Sequence, residues 1–237
     1  MVINAIKKVT SKIEFFLRNL STSSFSHKVQ PTVGARNSSD ISDHLPILQF
    51  LVSAFKPHQV LELGTRDGQS TRIFCDYTRK FGAKGYSCDL SPAPSFLAEY
   101  SNWTHFQMGD IQLAEQLSVN KTWPSQDKFN GVDFCFIDTS HEYQHTHEEL
   151  SMFWPLGGKG SIYVFHDTNL SPKTNRRLDG SLNTGWDNQR GVIRAIEEFF
   201  KIRVNEDDFF VSDNPHPEIN TILHFPWCNG LTLIQKL

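Results

Sequence analysis

The segment Val60-Leu-Glu-Leu-Gly-Thr-Arg-Asp-Gly-Gln-Ser-Thr71 indicates how this chain folds. It has the pattern of a buried strand, a turn with glycines at positions 64 and 68, and the start of a helix. Glycine lets the backbone pass close to a ligand, and a helix start offers free N–H groups and a positive dipole end. The segment therefore predicts a nucleotide-like ligand beyond the end of a strand.

Strands and helices alternate along the rest of the chain. Strands are predicted over residues 59–63, 85–88, 104–108, 132–137 and 161–165, each followed by a helix, and late strands over 209–211 and 231–234. This order predicts an α/β fold with a doubly wound, mainly parallel sheet. Ligands of such sheets bind beyond the carboxyl ends of the strands. The acidic or metal-binding residues predicted at that edge are Glu62, Asp89, Asp110, Asp138, His166 and Asp167.

Composition narrows the class of protein. The chain has 237 residues and is 38% hydrophobic, which suits one globular domain with additions. A net charge of −3 gives no electrostatic support for nucleic acid binding. The four cysteines are widely spaced, which argues against a zinc site or disulfide framework and suits a reducing compartment. Without a long apolar run, stable membrane insertion is not expected, and we predict a cytoplasmic protein.

Residues 1–40 are predicted to lie outside the main domain, which would span residues 41–237. Between residues 2 and 20, apolar side chains recur at alternating spacings of four and three, which is typical of an amphipathic helix. Such a helix could dock on its own domain or on a second protomer, and we expect a homo-oligomer formed through it. A helix lying on a membrane surface is the alternative. Residues 21–40 have the polar composition of a linker.

Two ligand classes compete for the turn after the first strand. Dinucleotide-binding proteins carry GxGxxG, whereas the spacing here is Gly64-x-x-x-Gly68 with Arg66 and Asp67 in the turn. Glu62 adds a negative charge that is unfavourable near a pyrophosphate but suits a cationic ligand. S-adenosylmethionine carries a sulfonium and an ammonium group, so the turn favours this cofactor.

The pattern E-x-G-x-x-x-G, followed by Asp89 and then Gly109-Asp110, resembles class I S-adenosylmethionine-dependent methyltransferases over roughly residues 43–237. The resemblance implies a Rossmann-like sheet of seven strands with an antiparallel last strand. It also implies that Asp89 holds the ribose hydroxyls and that Asp110 lies near the adenine amine. The other residues expected at the cofactor are Glu62, Gly64, Thr65, Arg66, Gly68, Ser70 and Asp138. Any single carboxylate could instead cap a helix or face solvent.

A second motif pairs Asp138-Thr-Ser-His141, after the fourth strand, with His166-Asp167, at the end of the fifth. Neighbouring parallel strands could bring these four side chains together. Carboxylates and imidazoles can hold a divalent cation, and a bound cation lowers the pKa of a hydroxyl. A histidine is a suitable general base near neutral pH.

This second motif resembles the metal-dependent O-methyltransferases that act on sugars of macrolides and related natural products, a subgroup with rhamnosyl methyltransferase-like and cephalosporin hydroxylase-like sequences. The resemblance implies that Asp138 and Asp167 bind Mg²⁺ and that His141 is the catalytic base. His166 stands where the macrolide-sugar pattern has glutamate, so the metal could instead be Mn²⁺ or Fe²⁺, or be absent. His145 and His147 are predicted to be surface residues.

The acceptor would be a small molecule bearing a hydroxyl group, such as a sugar or a glycosylated natural product. Residues 168–190 are polar, and a loop this long is often a lid over a site. Trp186 could stack on a sugar ring, Arg176 could meet a carboxylate or phosphate, and Tyr143 is a further candidate acceptor contact. Residues 214–227 are expected to form a second wall.

Three alternatives remain open at this point. The first is a metal-independent methyltransferase in which His141 acts alone. The second is a metal-dependent hydrolase or hydroxylase that uses His166 and Asp167, and it leaves Glu62 and Asp89 unexplained. The third is a non-catalytic partner protein that binds the cofactor.

The amphipathic stripe of residues 2–20 generates a testable prediction. Deleting residues 1–20 should lower the particle mass in light scattering or expose an aggregating patch, because an apolar stripe of this length is unfavourable in water. A soluble truncated protein of unchanged particle mass, after correction for the deleted residues, would contradict the predicted oligomer contact.

Overall fold

In a computed structural model of the chain, the residues described are 39, 41–170, 174–176, 182–184 and 188–237. The predicted amphipathic helix of residues 2–20, nearly all of the linker, and Trp186 lie outside these residues. The oligomer contact and the cytoplasmic location therefore stay predictions. In the described part of the chain, every helix is too short or too polar to cross a bilayer.

Five parallel strands form the larger part of the main sheet. They are β1 (Gln59–Leu63), β2 (Lys84–Asp89), β3 (Trp103–Gln107), β4 (Val132–Ile137) and β5 (Gly157–His166). The helices are α1 (Leu45–Phe55), α2 (Gln69–Phe81), α3 (Asp110–Asn120), α4 (Tyr143–Phe153) and α5 (Gly191–Phe200). Two short 3₁₀ helices cover Ser95–Glu99 and Trp154–Leu156.

Three antiparallel strands complete the sheet at the β5 side. They are β8 (Phe210–His216), β9 (Ile219–Phe225) and β10 (Leu231–Lys236), and the strand order across the sheet is β3-β2-β1-β4-β5-β10-β9-β8. The prediction of a doubly wound, mainly parallel sheet with an antiparallel last strand is confirmed. The predicted count of seven strands is wrong, because this sheet has eight in the described residues.

The missed strand is β9, which lies inside the stretch 214–227 that we expected to form a wall of the acceptor site. Its sequence INTILHF is almost wholly buried between β8 and β10. Pro215 lies in β8, at the edge of the sheet, where the missing N–H of proline is tolerated. The prolines of this stretch therefore mark an edge strand and a turn rather than a loop over the site.

Two short strands lie within the predicted lid, residues 168–190. Strands β6 (Thr174–Arg176) and β7 (Leu182–Thr184) pair in an antiparallel arrangement. The backbone of Arg176 therefore belongs to a strand, while its side chain lies outside the described part of the structure. A role of Arg176 or Trp186 at the acceptor stays a prediction.

Apolar side chains cover both faces of the main sheet. Along β4, Phe134 and Phe136 pack into the cluster that includes buried residues of α1 and α2. Cys135 and Ile137 pack into the opposite cluster, which includes residues of α3, α4 and α5. Burial on both faces explains why VDFCFI is apolar along nearly its whole length, and it leaves the carboxyl edge of the sheet as the place for polar chemistry.

Gly64 is where the backbone of the first turn crosses the end of β4. It has a φ of +83°, and a Cβ at this position would lie 2.0 Å from the carbonyl oxygen of Asp138. The amide of Asp138 donates to the carbonyl of Leu63 at 2.9 Å, which holds the two segments at this separation. Only glycine combines this backbone conformation with so close an approach.

Replacing Gly64 by alanine should therefore lower the free energy of unfolding by about 1–3 kcal/mol through backbone strain alone, with the overlap at Asp138 adding to the loss. Gly158→Ala is the matched control, because a Cβ at Gly158 meets nothing within 4 Å. Urea unfolding of both variants measures the difference. Equal stability of the two variants would contradict this account of the turn.

Candidate active site

A cleft of about 470 Å³ opens at the carboxyl ends of β1, β2, β3 and β4. Apolar and polar groups both line it, as expected for a small-molecule site. Its lining residues are Gly64, Arg66, Cys88, Asp89, Leu90, Met108, Gly109, Asp110, Ile111, Asp138, Thr139, Ser140 and His145. Five residues predicted at the cofactor, namely Gly64, Arg66, Asp89, Asp110 and Asp138, are brought together in this cleft.

Asp89 braces the glycine turn from the end of β2. Its Oδ2 accepts the amides of Thr65 at 2.7 Å and Arg66 at 2.9 Å, and its Oδ1 accepts the amide of Ser91 at 2.7 Å. Partial burial raises the pKa of Asp89, but these amides outweigh burial and hold the pKa below its usual value. Asp89 is thus an anion at neutral pH, and a carboxylate has about four acceptor sites, so it can still accept a further hydrogen bond from a ligand.

Glu62 is fully buried on β1, behind the turn. Its two carboxyl oxygens accept the hydroxyls of Ser70 and Thr71, each at 2.6 Å. Burial raises the pKa of Glu62 to about 8. The structure therefore places Glu62 where it anchors the first turn of α2, and its direct contact with a cofactor stays a prediction.

A smaller pocket of about 100 Å³ lies on the other side of the turn and shares Arg66 and Asp138 with the larger cleft. The hydroxyl oxygen of Thr65, one of its lining groups, is buried and has no hydrogen-bond partner among the described residues. Gly68 ends this turn with a φ of +77°. A Cβ at this position would lie 2.6 Å from the ring of Phe96, so a larger residue would not fit. The Thr65 hydroxyl is therefore a buried polar group beside this pocket that lacks a hydrogen-bond partner among the described residues.

Asp110 begins α3 and is joined to α4 by a histidine. Nε2 of His145 lies 2.8 Å from Oδ2 of Asp110 and 3.7 Å from Oε1 of Glu149, and Thr139 donates its hydroxyl to Glu149 at 2.7 Å. Burial raises the pKa of Asp110, but hydrogen bonds, chiefly from His145, hold it below its usual value. His145, which we predicted to be a surface residue, is partly exposed and also lines the cleft.

Asp138, His141, His166 and Asp167 converge beside this cleft. Nε2 of His141 lies 3.0 Å from Oδ1 of Asp138 and 3.0 Å from Oδ2 of Asp167. Nδ1 of His166 lies 3.3 Å from Oδ1 of Asp138 and 3.3 Å from Oδ1 of Asp167. The parallel register of β4 with β5, which pairs Ile137 with Phe165, brings the two motifs together. We call these four residues the carboxylate–histidine cluster.

Opposite charges dominate the electrostatics of this cluster. Burial lowers the pKa of His141, but the carboxylates of Asp138 and Asp167 outweigh burial and raise the pKa to about 9. Burial likewise lowers the pKa of His166, and the same carboxylates raise it well above its usual value. Burial raises the pKa of both carboxyls, but His166, followed by His141, holds each below its ordinary range. The two carboxylates thus favour the protonated form of both imidazoles.

Two residues of the carboxylate–histidine cluster have strained backbones. His141 has a φ of 60° and Asp167 a φ of 55°, in the left-handed region that non-glycine residues rarely occupy. Such conformations are costly and occur preferentially at functional sites. Around His141 the backbone is held by the start of α5 and the residues before it. Asn188 donates to the carbonyl of His141 at 3.1 Å, and a Cβ at Gly191 would lie 2.4 Å from the same carbonyl oxygen.

His44, which precedes α1, is a member of the site that the motifs did not indicate. It is fully buried, and its Nδ1 lies 3.1 Å from Nε2 of His166. Its partner is far away in sequence, and a histidine before a Leu-Pro pair has no recognisable spacing to a second ligand. His44 could therefore not have been identified from the sequence.

Tyr143 lies at the start of α4. Its hydroxyl donates to Glu198 at 2.5 Å, and the guanidinium of Arg194 lies 4.1 Å from the centre of its ring. These contacts place Tyr143 between α4 and α5, and a contact with the acceptor stays a prediction.

Comparison with known proteins identifies this region. Residues 61–168 match the family described as Methyltransferase domain. This segment is a methyltransferase domain. It runs from β1 to the residue after Asp167, so it contains the glycine turn, the larger cleft and the carboxylate–histidine cluster. The resemblance seen in the glycine turn and the strand-end carboxylates is thereby confirmed.

The chain also has curated relatives. Over 134 residues this chain is 28% identical to the rhamnosyl O-methyltransferase of Mycobacterium bovis, an alignment that covers 52% of this chain and 51% of that protein. A protein of the same name from Mycobacterium tuberculosis matches this chain with the same identity and coverage. This chain thus spans about half the length of the curated relatives it matches.

Solved structures share the fold. An O-methyltransferase from Bacillus cereus in complex with S-adenosylhomocysteine is 16% identical, with a TM-score of 0.57 and coverage of 93% of this chain and 90% of that chain. The MycE methyltransferase of the mycinamycin pathway, in complex with Mg, S-adenosylhomocysteine and mycinamycin VI, is 14% identical, with a TM-score of 0.51 and coverage of 93% and 53%. At these identities the similarity establishes the fold of the methyltransferase domain.

Asp89 provides a test of the larger cleft as a nucleoside site. Asp89→Asn should weaken S-adenosylhomocysteine binding about tenfold or more, because hydrogen bonds to a charged acceptor contribute about 1.5–3 kcal/mol. Asp76→Asn is the matched control, since Asp76 pairs with Arg79 on the exposed side of α2. Titration calorimetry measures both affinities. Equal affinity of a folded Asp89→Asn variant and the unaltered protein would refute the assignment.

Proposed function

We propose that this chain is an S-adenosylmethionine-dependent O-methyltransferase that methylates a hydroxyl of a sugar or a glycosylated small molecule. The observation that carries the proposal is the position of Asp138. Its side chain belongs both to the lining of the 470 Å³ cleft and to the carboxylate–histidine cluster. A methyl donor in the cleft would therefore lie next to groups able to bind and deprotonate a hydroxyl.

The cleft has the chemistry of a nucleoside site. Asp89 offers an anionic acceptor suited to ribose hydroxyls, and Asp110 offers another near the apolar side chains of Met108 and Ile111. Thr65, Arg66 and Ser70 line the smaller pocket beyond Asp138, where the methionine part would lie. The carboxylate of Asp138 is at the junction and would favour the sulfonium electrostatically.

The carboxylate–histidine cluster fits a divalent cation. Nδ1 of His166 and both carboxyl oxygens of Asp167 are buried and lack a hydrogen bond of normal geometry, although they lie within ion-pair distance of the other members. Nε2 of His141 lies within 4.8 Å of one oxygen of Asp138 and one of Asp167, which are themselves this close. Nδ1 of His166 lies 3.3 Å from an oxygen of each carboxylate, so either imidazole could complete a cation site with Asp138 and Asp167. Carboxylate oxygens suit Mg²⁺, and the two imidazoles also admit Mn²⁺ or Fe²⁺.

We assign Asp138, His166 and Asp167 to the cation and His141 to the base. A bound cation would lower the pKa of the acceptor hydroxyl and offset the negative charge of the two carboxylates. His141 lies at the more accessible side of the cluster, and its imidazole would hold the proton that leaves the hydroxyl. With a pKa of about 9 beside two uncompensated carboxylates, His141 would be mostly protonated at neutral pH. This observation favours the cation-dependent mechanism over one in which His141 acts alone.

The sugar acceptor is inferred from the relatives. Rhamnosyl O-methyltransferases are 28% identical over about half of this chain. Trp186, Arg176 and Tyr143 are proposed acceptor contacts, because the segment that carries the first two follows directly on Asp167. The hydrolase and partner-protein alternatives receive less support, since neither accounts for Asp89 and the glycine turn next to the cluster.

Turnover of a panel of rhamnosyl glycosides, followed as S-adenosylhomocysteine formation, tests the proposal. His141→Ala should lower turnover by about 10²–10⁴, the usual contribution of a general base, while S-adenosylhomocysteine still binds. Asp167→Asn should abolish Mg²⁺-stimulated turnover and also keep S-adenosylhomocysteine binding. His58→Ala is the control, because His58 is an exposed histidine before β1.

Chelation separates the two parts of this mechanism. If EDTA leaves turnover intact while His141→Ala abolishes it, the cation is not required and His141 acts alone. Full activity of His141→Ala would refute its role as the base. Failure of the unaltered protein to bind S-adenosylhomocysteine would refute the cofactor assignment itself.

A further inference from the structure

His44 links the backbone of Trp227 to His166 through hydrogen bonds, and the far nitrogen of His166 faces the carboxylates. Nε2 of His44 lies 2.9 Å from the carbonyl oxygen of Trp227, and Nδ1 of His44 lies 3.1 Å from Nε2 of His166. The far nitrogen of His166, Nδ1, faces Asp138 and Asp167 at 3.3 Å each. Both imidazoles are buried, with exposed fractions of 0% and 1%.

The direction of these hydrogen bonds follows from the acceptor at the outer end. A carbonyl oxygen can only accept, so Nε2 of His44 carries the hydrogen and donates to Trp227. In a neutral imidazole the other nitrogen then has a lone pair, and Nδ1 of His44 accepts from Nε2–H of His166. The remaining nitrogen of His166 is left to face the carboxylates.

We infer that His44 is a positioning residue that holds His166 in the tautomer whose Nδ1 lone pair serves as a ligand for the divalent cation. This inference rests on the cation site proposed above. Histidines that bind metals commonly donate their other ring N–H to a neighbouring acceptor, which sets the tautomer and the orientation of the ring. Here the acceptor is itself a histidine, and the backbone of Trp227 sets its tautomer in turn.

The need for such a device follows from the residue type at position 166. His166 stands where the macrolide-sugar pattern has glutamate, and a carboxylate presents a lone pair in any orientation. A neutral imidazole presents one only at its unprotonated nitrogen. The rings of His44 and His166 meet edge to face, with centroids 5.1 Å apart and an angle of 78°, so rotation of either ring would break these hydrogen bonds.

Mn²⁺ affinity of the full chain tests the role of His44. His44→Phe should weaken Mn²⁺ binding by about 10–100-fold, the usual effect of losing such a partner, without changing S-adenosylhomocysteine affinity. His44→Gln should recover much of the loss, because its amide offers both a donor for Trp227 and an acceptor for His166. His224→Phe is the matched control. His224 is equally buried, donates Nε2–H to the carbonyl of Glu206 at 3.0 Å, and its Nδ1 lies 2.8 Å from the hydroxyl oxygen of Thr232.

Nitrogen NMR of the unaltered chain gives a readout that needs no variant. With ¹⁵N-labelled histidine and saturating Mg²⁺, His166 should show the neutral Nε2–H tautomer. The Nδ1–H tautomer, or an unchanged Mn²⁺ affinity in a folded His44→Phe variant, would overturn the inference and leave the cation site standing. If the unaltered protein binds S-adenosylhomocysteine but neither cation, the cation part of the proposed function fails and the role of His44 fails with it.

Discussion

The parallel pairing of β4 with β5 is the constraint on which the site depends. Pairing of Ile137 with Phe165 means that the residues after each strand, Asp138 on one side and His166-Asp167 on the other, emerge at the same edge of the sheet. Both strands are buried on both faces, so their register is set by the apolar clusters. Charged groups are therefore brought together by hydrophobic packing, at a cost that their mutual attraction partly offsets.

Asp138 then connects two regions that are otherwise separate. Its backbone amide is held by Leu63, next to the glycine turn that shapes the cleft. Its side chain contacts His141 and His166 in the carboxylate–histidine cluster. Because Gly64 lets the turn approach the carbonyl of Asp138 so closely, a shift at either residue would be transmitted to both the cleft and the cluster. Because Asp138 belongs to both regions, the cofactor assignment and the cation assignment need separate tests.

Buried charge is the cost of this arrangement. Two carboxylates and two imidazoles lie together, and Asp138, His166 and Asp167 are buried. His141 and Asp167 also have left-handed backbone conformations. Removing one partner from such a group leaves an uncompensated charge and is usually strongly destabilising. The surrounding structure supports the cluster through Asn188 and α5 on one side and through His44 and Trp227 on the other. These supports come from distant parts of the chain, which explains how the strained conformations persist.

The general fold and most of the cleft could be predicted from the sequence, because strand periodicity, the glycine turn and strand-end carboxylates are local patterns. The same patterns placed Asp89, Asp110 and Asp138 at one edge, since parallel strands present their carboxyl ends together. The eighth strand, β9, was missed because its neighbouring prolines suggested a loop. The place of His145 in the cleft was missed because a helical histidine has the same local pattern whether or not it contacts Asp110. His44 could not be identified at all, since its role depends on contacts with Trp227 and His166. Such long-range contacts have no local sequence signal and arise only when the packed sheet and its flanking segments bring the partners together.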